Sequence, residues 1–147
     1  MYKTILAYID DPKMAEVTVD RASGLARAFD SDVILAQVVV PQPTMANPWS
    51  GGYEDTGAMR DAEGMLAPWR GQLMQQGIGV HVSILQGYDS VAATLREHCR
   101  ATHTDLVLLP ARLNADLLGW SAEGVVEEII RSAPSDVLIV HEPEPEW

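Results

Sequence analysis

Five short apolar runs, rich in β-branched residues, are spaced along the chain. Most of their positions are continuously hydrophobic rather than alternating, which is typical of strands covered on both faces in a parallel sheet. Segments with helical spacing separate these runs, and the alternation of strand and helix predicts βαβ crossovers. We therefore expect an α/β protein with one open parallel sheet and helices on both of its faces. The predicted strands cover residues 4–9, 32–40, 80–85, 105–110 and 136–140.

The first predicted helix has a clear beginning. Asp11 can cap it by accepting a hydrogen bond from an exposed main-chain N–H, and Pro12 suits its first position. Apolar residues three and four apart then give one stripe that should face the sheet. The members of this stripe are Val19, Ala22, Ala26 and Phe29.

Three further helices follow from the same spacing. One covers residues 58–76 and stops at Gly77, and Pro68 within it either kinks the helix or marks its true start. Another opens at Asp89 or Ser90, and the last covers about 122–132. Their predicted inward residues are Ala62, Met65, Trp69 and Leu73, then Val91, Leu95 and Cys99, then Val125, Val126, Ile129 and Ile130.

Two segments lack any regular pattern. Residues 41–57 contain three prolines and three glycines, so we expect a mobile surface loop after the second strand. Because open α/β sheets bind ligands at the carboxyl ends of their strands, this loop is either a lid or a tolerated insertion. The acidic, proline-rich tail 141–147 should be extended and solvated, and the chain 1–147 should form a single domain.

The charge of the chain limits its partners. Ten lysines and arginines stand against 21 acids, which gives a formal net charge of −11. Such a surface repels phosphate backbones, so we expect neither nucleic acid nor a membrane as a partner. No apolar run is long enough to span a bilayer, and no secretory signal is recognisable. A single cysteine, Cys99, fits a reducing compartment, and we expect a cytoplasmic protein.

Few residues suggest chemistry. His98, Cys99 and His103 invite a metal hypothesis, but adjacent helical side chains diverge and do not converge on one ion. We expect no metal site there. The sequence has no Gly-x-Ser-x-Gly, no Gly-x-Gly-x-x-Gly and no Walker loop, so no catalytic residue is predicted. Asp10, directly after the first strand, either faces a ligand crevice or is simply a turn residue.

Five stretches resemble one known family. They are "KTILAYIDD", "LAQVVVP", "LQGYDSVAATLREHC", "THTDLVLLP" and "VVEEIIRSAPSDVLIV", and together they span nearly the whole chain. Each is similar to a segment of the universal stress protein family, with Asp10 on the aspartate of that family's first strand. The resemblance implies a Rossmann-like fold with five parallel strands in the order 3-2-1-4-5. It also implies a homodimer and a role in the stress response rather than in catalysis.

One branch of this family binds ATP through Gly-x2-Gly-x9-Gly-Ser/Thr, after the fourth strand. Aligned on "RSAP", the four positions fall on Pro110, Leu113, Glu123 and Gly124, and none carries the expected residue. Proline supplies no N–H, leucine blocks the close approach of the backbone, and the carboxylate of Glu123 repels a polyphosphate. Tyr8 also replaces a small residue beside the adenine position that the resemblance implies. We expect the nucleotide motif to be degenerate.

Three functions remain open. The first is a non-enzymatic stress protein without a cofactor, which contacts an unidentified protein and dimerises through Val137, Leu138, Ile139 and Val140. The alternative is a stress sensor that binds ATP with Mg, or another adenine nucleotide, through Asp10, Val38, Arg112 and Gly124. A third is an enzyme that hydrolyses or transfers a nucleotidyl group, supported by fold analogy alone.

Overall fold

A computed structural model describes residues 1–40, 56–87, 90–114 and 124–144. Within these ranges strands and helices alternate along the chain, as the apolar pattern predicted. The strands are β1 (Thr4–Tyr8), β2 (Asp32–Val39), β3 (Val80–Gln86), β4 (Leu106–Pro110) and β5 (Asp136–Val140). The helices are α1 (Pro12–Phe29), α2 (Thr56–Gln75), α3 (Val91–Thr102) and α4 (Val125–Ser132).

The five strands form one sheet in the order β3-β2-β1-β4-β5, and every pairing is parallel. The register places Leu6 of β1 between Ile34 of β2 and Val107 of β4. The fold class and the strand order implied by the resemblance are therefore confirmed. From β1 the strand order proceeds to β2 and β3 on one side and to β4 and β5 on the other. The topological switch point therefore lies between β1 and β4.

Both faces of the sheet are covered. Ile5 and Ala7 of β1 belong to a core that α1 and α2 close, whereas Leu6 and Tyr8 belong to a second core closed by α3 and α4. All four side chains are fully buried. Burial on both faces explains why the central strands β1 and β4 are continuous apolar runs, since nearly every position along them is buried.

Helix α1 begins as predicted. The Asp11 carboxylate accepts a hydrogen bond from the Lys13 N–H at 2.9 Å, and Pro12 is the first helical residue. The predicted stripe holds except at its last member, Phe29, which is 38% exposed. Phe29 is the final residue of the helix, before the left-handed Asp30, and its ring meets Tyr2 edge-on at a centroid distance of 5.4 Å.

Helix α2 departs from its prediction at two places. It begins at Thr56, so the last two residues of the expected loop 41–57 are helical, and the remaining loop residues lie outside the described ranges. It also runs unbroken past Pro68, which therefore does not mark its start. Packing against the sheet compensates for the hydrogen bond that a proline removes from a helix interior.

The buried stripe of α2 is also shifted. Ala62 and Leu73 are buried as expected, but Leu66 is fully buried where Met65 and Trp69 are only partly buried.

The prediction for α4 was wrong at Ile130, which is 48% exposed, whereas Val125 and Ile129 are buried. A short helix that rests on the sheet margin buries a narrower stripe than its apolar residues could fill.

The two helices of the second face begin differently. Ser90 caps α3 by accepting a hydrogen bond from the Ala93 N–H at 3.2 Å, which is one of the two starts that were predicted. Helix α4 follows Gly124, whose φ of 78° is left-handed, and residues 122 and 123 lie outside the described ranges. None of the helices described here is long and apolar enough to cross a membrane.

Candidate functional site

The carboxyl ends of β1 and β4 lie side by side in the centre of the sheet. The chain leaves β1 for α1 on one face, and beyond β4 it reaches α4 on the other face. Connections that diverge in this way open a crevice at the strand ends, which is where open α/β sheets place ligands. The candidate site is therefore the region around Asp10, after β1, and Pro110, at the end of β4.

Asp10 is buried in this crevice rather than open to it, with 1% of its surface exposed. One carboxylate oxygen, Oδ2, accepts a hydrogen bond from the main-chain N–H of Asn114 at 2.9 Å. The side-chain amide of Asn114 donates in return to the main-chain oxygen of Asp10 at 3.1 Å. Two hydrogen bonds thus hold the segment after β4 against the end of β1.

The second carboxylate oxygen of Asp10, Oδ1, is buried without a hydrogen-bond partner among the described residues. Burial raises the pKa of Asp10 to about 6, and the charge of Asp11 acts in the same direction. The hydrogen bond from Asn114 opposes this rise, because it stabilises the ionised carboxylate. Asp10 therefore changes its charge close to neutral pH.

Tyr8, the last residue of β1, is fully buried two residues before Asp10 and is near enough to feel its charge. Within the described ranges its hydroxyl has no hydrogen-bond partner of ordinary geometry, although the main chain of Val38 is near enough to lower its pKa slightly. Burial, followed by the charge of Asp10, raises the pKa of Tyr8 far above its usual range. The site therefore holds a neutral phenol beside a titrating carboxyl group.

The residues at the first two motif positions have structural roles. Pro110 ends β4 opposite Val140, and the next N–H, that of Ala111, donates to the Val140 main-chain oxygen at 2.9 Å. Leu113 is half-buried and packs against the core under α3 and α4. Glu123 lies outside the described residues. Gly124 precedes α4 without any side-chain cap, so it adds no hydroxyl there.

The residues proposed for an adenine nucleotide are not all brought together. Asp10 is buried in the crevice, and Val38 is fully buried in β2, in the same core as Tyr8. Arg112 is exposed and instead lines an adjoining cavity near the start of α1. Gly124 is exposed at the beginning of α4.

Asn114 is the residue that sequence reasoning missed. It follows no apolar period and belongs to no motif, and its contact with Asp10 joins positions 104 residues apart. The one signal is its residue type, since asparagine commonly bonds to main-chain groups in turns. That property indicates a turn but not the distant partner.

The histidines and the cysteine of α3 have structural surroundings. The His98 ring nitrogen Nε2 lies 3.1 Å from the Ser83 hydroxyl of β3, and burial lowers its pKa. Cys99 is buried, and burial raises the pKa of its thiol to about 11. His103 ends the helix in a left-handed conformation, with φ 53°. Across the described ranges no three His, Cys, Asp or Glu side chains are grouped for a metal ion.

Strand β5 forms one edge of the sheet. Val137 and Ile139 point toward the core under α3 and α4, and Leu138 and Val140 point toward the core under α1 and α2. Val140 is buried, while the other three residues are half-buried. The strand therefore presents a short apolar edge at the boundary of the sheet.

A doubly wound, open α/β sheet with a crevice at its switch point defines a Rossmann-like protein. Residues 1–141 match the model of the universal stress protein family, and the chain belongs to this family. It is 25% identical to the universal stress protein MJ0531 of Methanocaldococcus jannaschii, over 99% of this chain and 86% of that protein.

Solved structures share the fold. A universal stress protein family member from Burkholderia pseudomallei has a TM-score of 0.69 at 19% identity, covering 95% of this chain and 96% of that one. The universal stress protein of Archaeoglobus fulgidus in complex with dAMP has a TM-score of 0.66 at 13% identity, covering 94% and 97% of the two chains. At these identities the likeness is one of fold.

Proposed function

We propose that this chain is a non-enzymatic, cytoplasmic stress-response protein that acts as a homodimer through protein contacts and binds no nucleotide through the loop after β4. The observation that carries the proposal is the contact between Asp10 and Asn114. A carboxylate at the head of the crevice would have to meet a ligand, yet here its Oδ2 accepts from the N–H of the chain's own loop. The carboxylate at the head of the crevice is thus occupied by the protein's own Asn114.

The residues beside this contact support the same conclusion. Pro110 has no N–H to offer to a phosphate, and the side chain of Leu113 packs into the core beside the loop. Each hydrogen bond to a charged group that is lost in this way weakens binding by roughly 1.5 to 3 kcal/mol. Two such losses separate a micromolar ligand from one that binds only at about millimolar concentration.

The proposed dimer forms through β5. A free strand edge invites pairing with another chain, and the edge of β5 carries no proline or lysine to discourage it. Antiparallel pairing with a second copy satisfies the main-chain groups of Val137–Val140 and covers their half-buried side chains. The family resemblance implies the same arrangement.

Analytical ultracentrifugation at micromolar concentration tests the dimer. We expect twice the monomer mass for the wild type and the monomer mass for Ile139→Asp, because the new carboxylate lies in the paired edge. Met74→Asp is the matched control, since Met74 is 54% exposed on α2 and lies away from β5. A monomeric wild type, or equal dissociation of both variants, would refute this part of the proposal. Far-UV circular dichroism checks that each variant is folded.

One observation favours a second function, adenine-nucleotide sensing. Asp10 Oδ1 is buried without a partner among the residues described here, and it could accept a hydrogen bond from a ribose or an adenine. A structural relative from Archaeoglobus fulgidus was solved in complex with dAMP. Calorimetry with MgATP separates the two functions: micromolar or tighter binding that Asp10→Asn abolishes would establish the sensor and overturn our preference.

A further inference from the structure

A second cavity opens at the carboxyl edge of the sheet, beside the start of α1. Its volume is about 530 Å³, within the usual range for small-molecule sites. The lining residues that belong to the described ranges come from three separate segments, which follow β1, β4 and β5 respectively. Leu113 and Asn114 also line it, whereas Asp10 does not, so this cavity adjoins the crevice on the far side of the segment that covers Asp10.

Basic side chains from all three segments meet there. Lys13 comes from the first turn of α1, Arg112 follows β4, and His141 follows β5. The chain has only two lysines and an excess of acids, yet one of the two lysines lies at this cavity. In the described part of the chain, neither Lys13 nor Arg112 has an acidic group within 4.0 Å of its charged nitrogens. The acids of the described ranges therefore neutralise neither charge.

The main-chain donors of this helix start are already used. The Lys13 N–H is bound by the Asp11 side chain, and the N–H groups of Met14 and Ala15 donate to the Asp11 main-chain oxygen. The positive character of the cavity is thus built from side chains rather than from the helix end. It depends on residues that can be replaced one at a time.

Two acids also line the cavity. Asp11 uses Oδ1 for the helix cap, which leaves its other oxygen, and Glu142 is exposed after β5. A bare anion would be repelled by these carboxylates, and a bare cation by Lys13 and Arg112. A ligand that suits both sets carries negative charge at one end and hydrogen-bond donors at the other.

We propose that this cavity binds a small phosphorylated polyol of the sugar phosphate class. Lys13 and Arg112 pair with the phosphate, His141 donates a further hydrogen bond, and the hydroxyl groups donate to Asp11 and Glu142. A phosphate monoester carries nearly two charges at neutral pH and so matches two cations better than a carboxylate does. This binding role is additional to the proposed dimer and does not depend on it.

Nitrogen-15 NMR titration at low ionic strength tests the proposal, with ribose 5-phosphate, ribose and inorganic phosphate as probes. We expect ribose 5-phosphate to shift the amides around Lys13, Arg112 and His141 in a saturable way. Ribose should cause no shift, and inorganic phosphate should bind at least about tenfold more weakly than the ester. Each of Lys13→Gln and Arg112→Gln should weaken ribose 5-phosphate binding by about tenfold or more.

The matched control is Arg100→Gln, which removes an exposed charge from the last turn of α3 and should leave the affinity unchanged. If Arg112→Gln and Arg100→Gln weakened ribose 5-phosphate binding equally, the effect would be a general electrostatic attraction, and the proposal would be overturned. An absence of saturable shifts would overturn it as well, as would inorganic phosphate binding as tightly as the ester. None of these results bears on the dimer, so failure here leaves that part of the proposed function standing.

Discussion

Asn114 holds Asp10 by two hydrogen bonds: its main-chain N–H donates to the carboxylate, and its side-chain amide donates to the main-chain oxygen. The pair joins the end of β1 to the segment after β4, across the position where this fold opens its crevice. Because Asp10 is almost completely buried, this contact decides what the carboxylate meets.

Asn114→Ala should weaken the attachment of this segment to Asp10 without abolishing it. The substitution deletes the 3.1 Å bond from the side-chain amide but keeps the main-chain N–H that reaches Asp10 Oδ2. We expect the free energy of unfolding, measured in urea, to fall by about 0.5 to 1.5 kcal/mol. Asn114→Asp should cost more, since it replaces the donor by a second carboxylate. An alanine variant as stable as the wild type would contradict the role given to this side chain.

The buried carboxyl group should give stability a specific pH dependence. Because the pKa of Asp10 is raised to about 6 in the folded state, the native protein binds this proton more tightly than the unfolded chain does. The resulting stabilisation is fully present below about pH 4 and is lost as the pH rises through about 6. Relative to Asp10→Asn, the wild type should therefore gain about 2 to 3 kcal/mol between about pH 7.5 and 4. An equal difference at both pH values would contradict the burial of a titrating Asp10.

Asp105 should show the opposite dependence. Its carboxylate accepts hydrogen bonds from the Thr4 and Lys3 N–H groups at 3.0 and 2.9 Å, and these bonds lower its pKa. Its stabilising contribution is present at neutral pH and is lost as the pH falls through the lowered pKa. Urea titrations should therefore show Asp105→Ala less stable than the wild type at neutral pH, with the difference shrinking on acidification. A difference that grows on acidification would contradict this.

Two glycines that flank β3 should differ in their tolerance of alanine. A Cβ at Gly87 would lie 2.8 Å from Val38 Cγ1, a stiff and fully buried side chain beside the site. We expect Gly87→Ala to lower the unfolding free energy by about 1 to 3 kcal/mol. Gly79→Ala is the matched control, because its close neighbour at 2.3 Å is the end of the exposed Asp32 side chain, which can turn away. Its cost should stay below about 1 kcal/mol, and the reverse order would refute the packing argument.

The sequence predicted the strands and most helices because burial on both faces leaves a continuous apolar run that no other element imitates. The strand order was not predicted in this way. It came from the family resemblance, because apolar runs alone do not show which strands are neighbours. The errors concern the start of α2 and the buried stripes of the helices. Phe29 and Ile130 continue an apolar period, yet they are 38% and 48% exposed, because the period alone does not show how wide a stripe a helix buries.

Less of the candidate site was predictable. Position alone placed Asp10 at the carboxyl edge of the sheet, because a residue that follows a parallel strand must lie there. Its burial and its bond to Asn114 depend on a tertiary contact that leaves no periodic trace in the sequence. The cavity shared by Lys13, Arg112 and His141 was equally hidden, since three strand ends must first be brought together to form it.

The amide resonance of Asn114, followed by nitrogen-15 NMR while MgATP is added to millimolar concentration, tests the closed crevice most directly. We expect the resonance to stay in place and its proton to remain protected from exchange, because Asp10 keeps its hydrogen bond to this N–H. A saturable shift with loss of that protection would mean that a nucleotide displaces Asn114 from Asp10. That result would contradict the account.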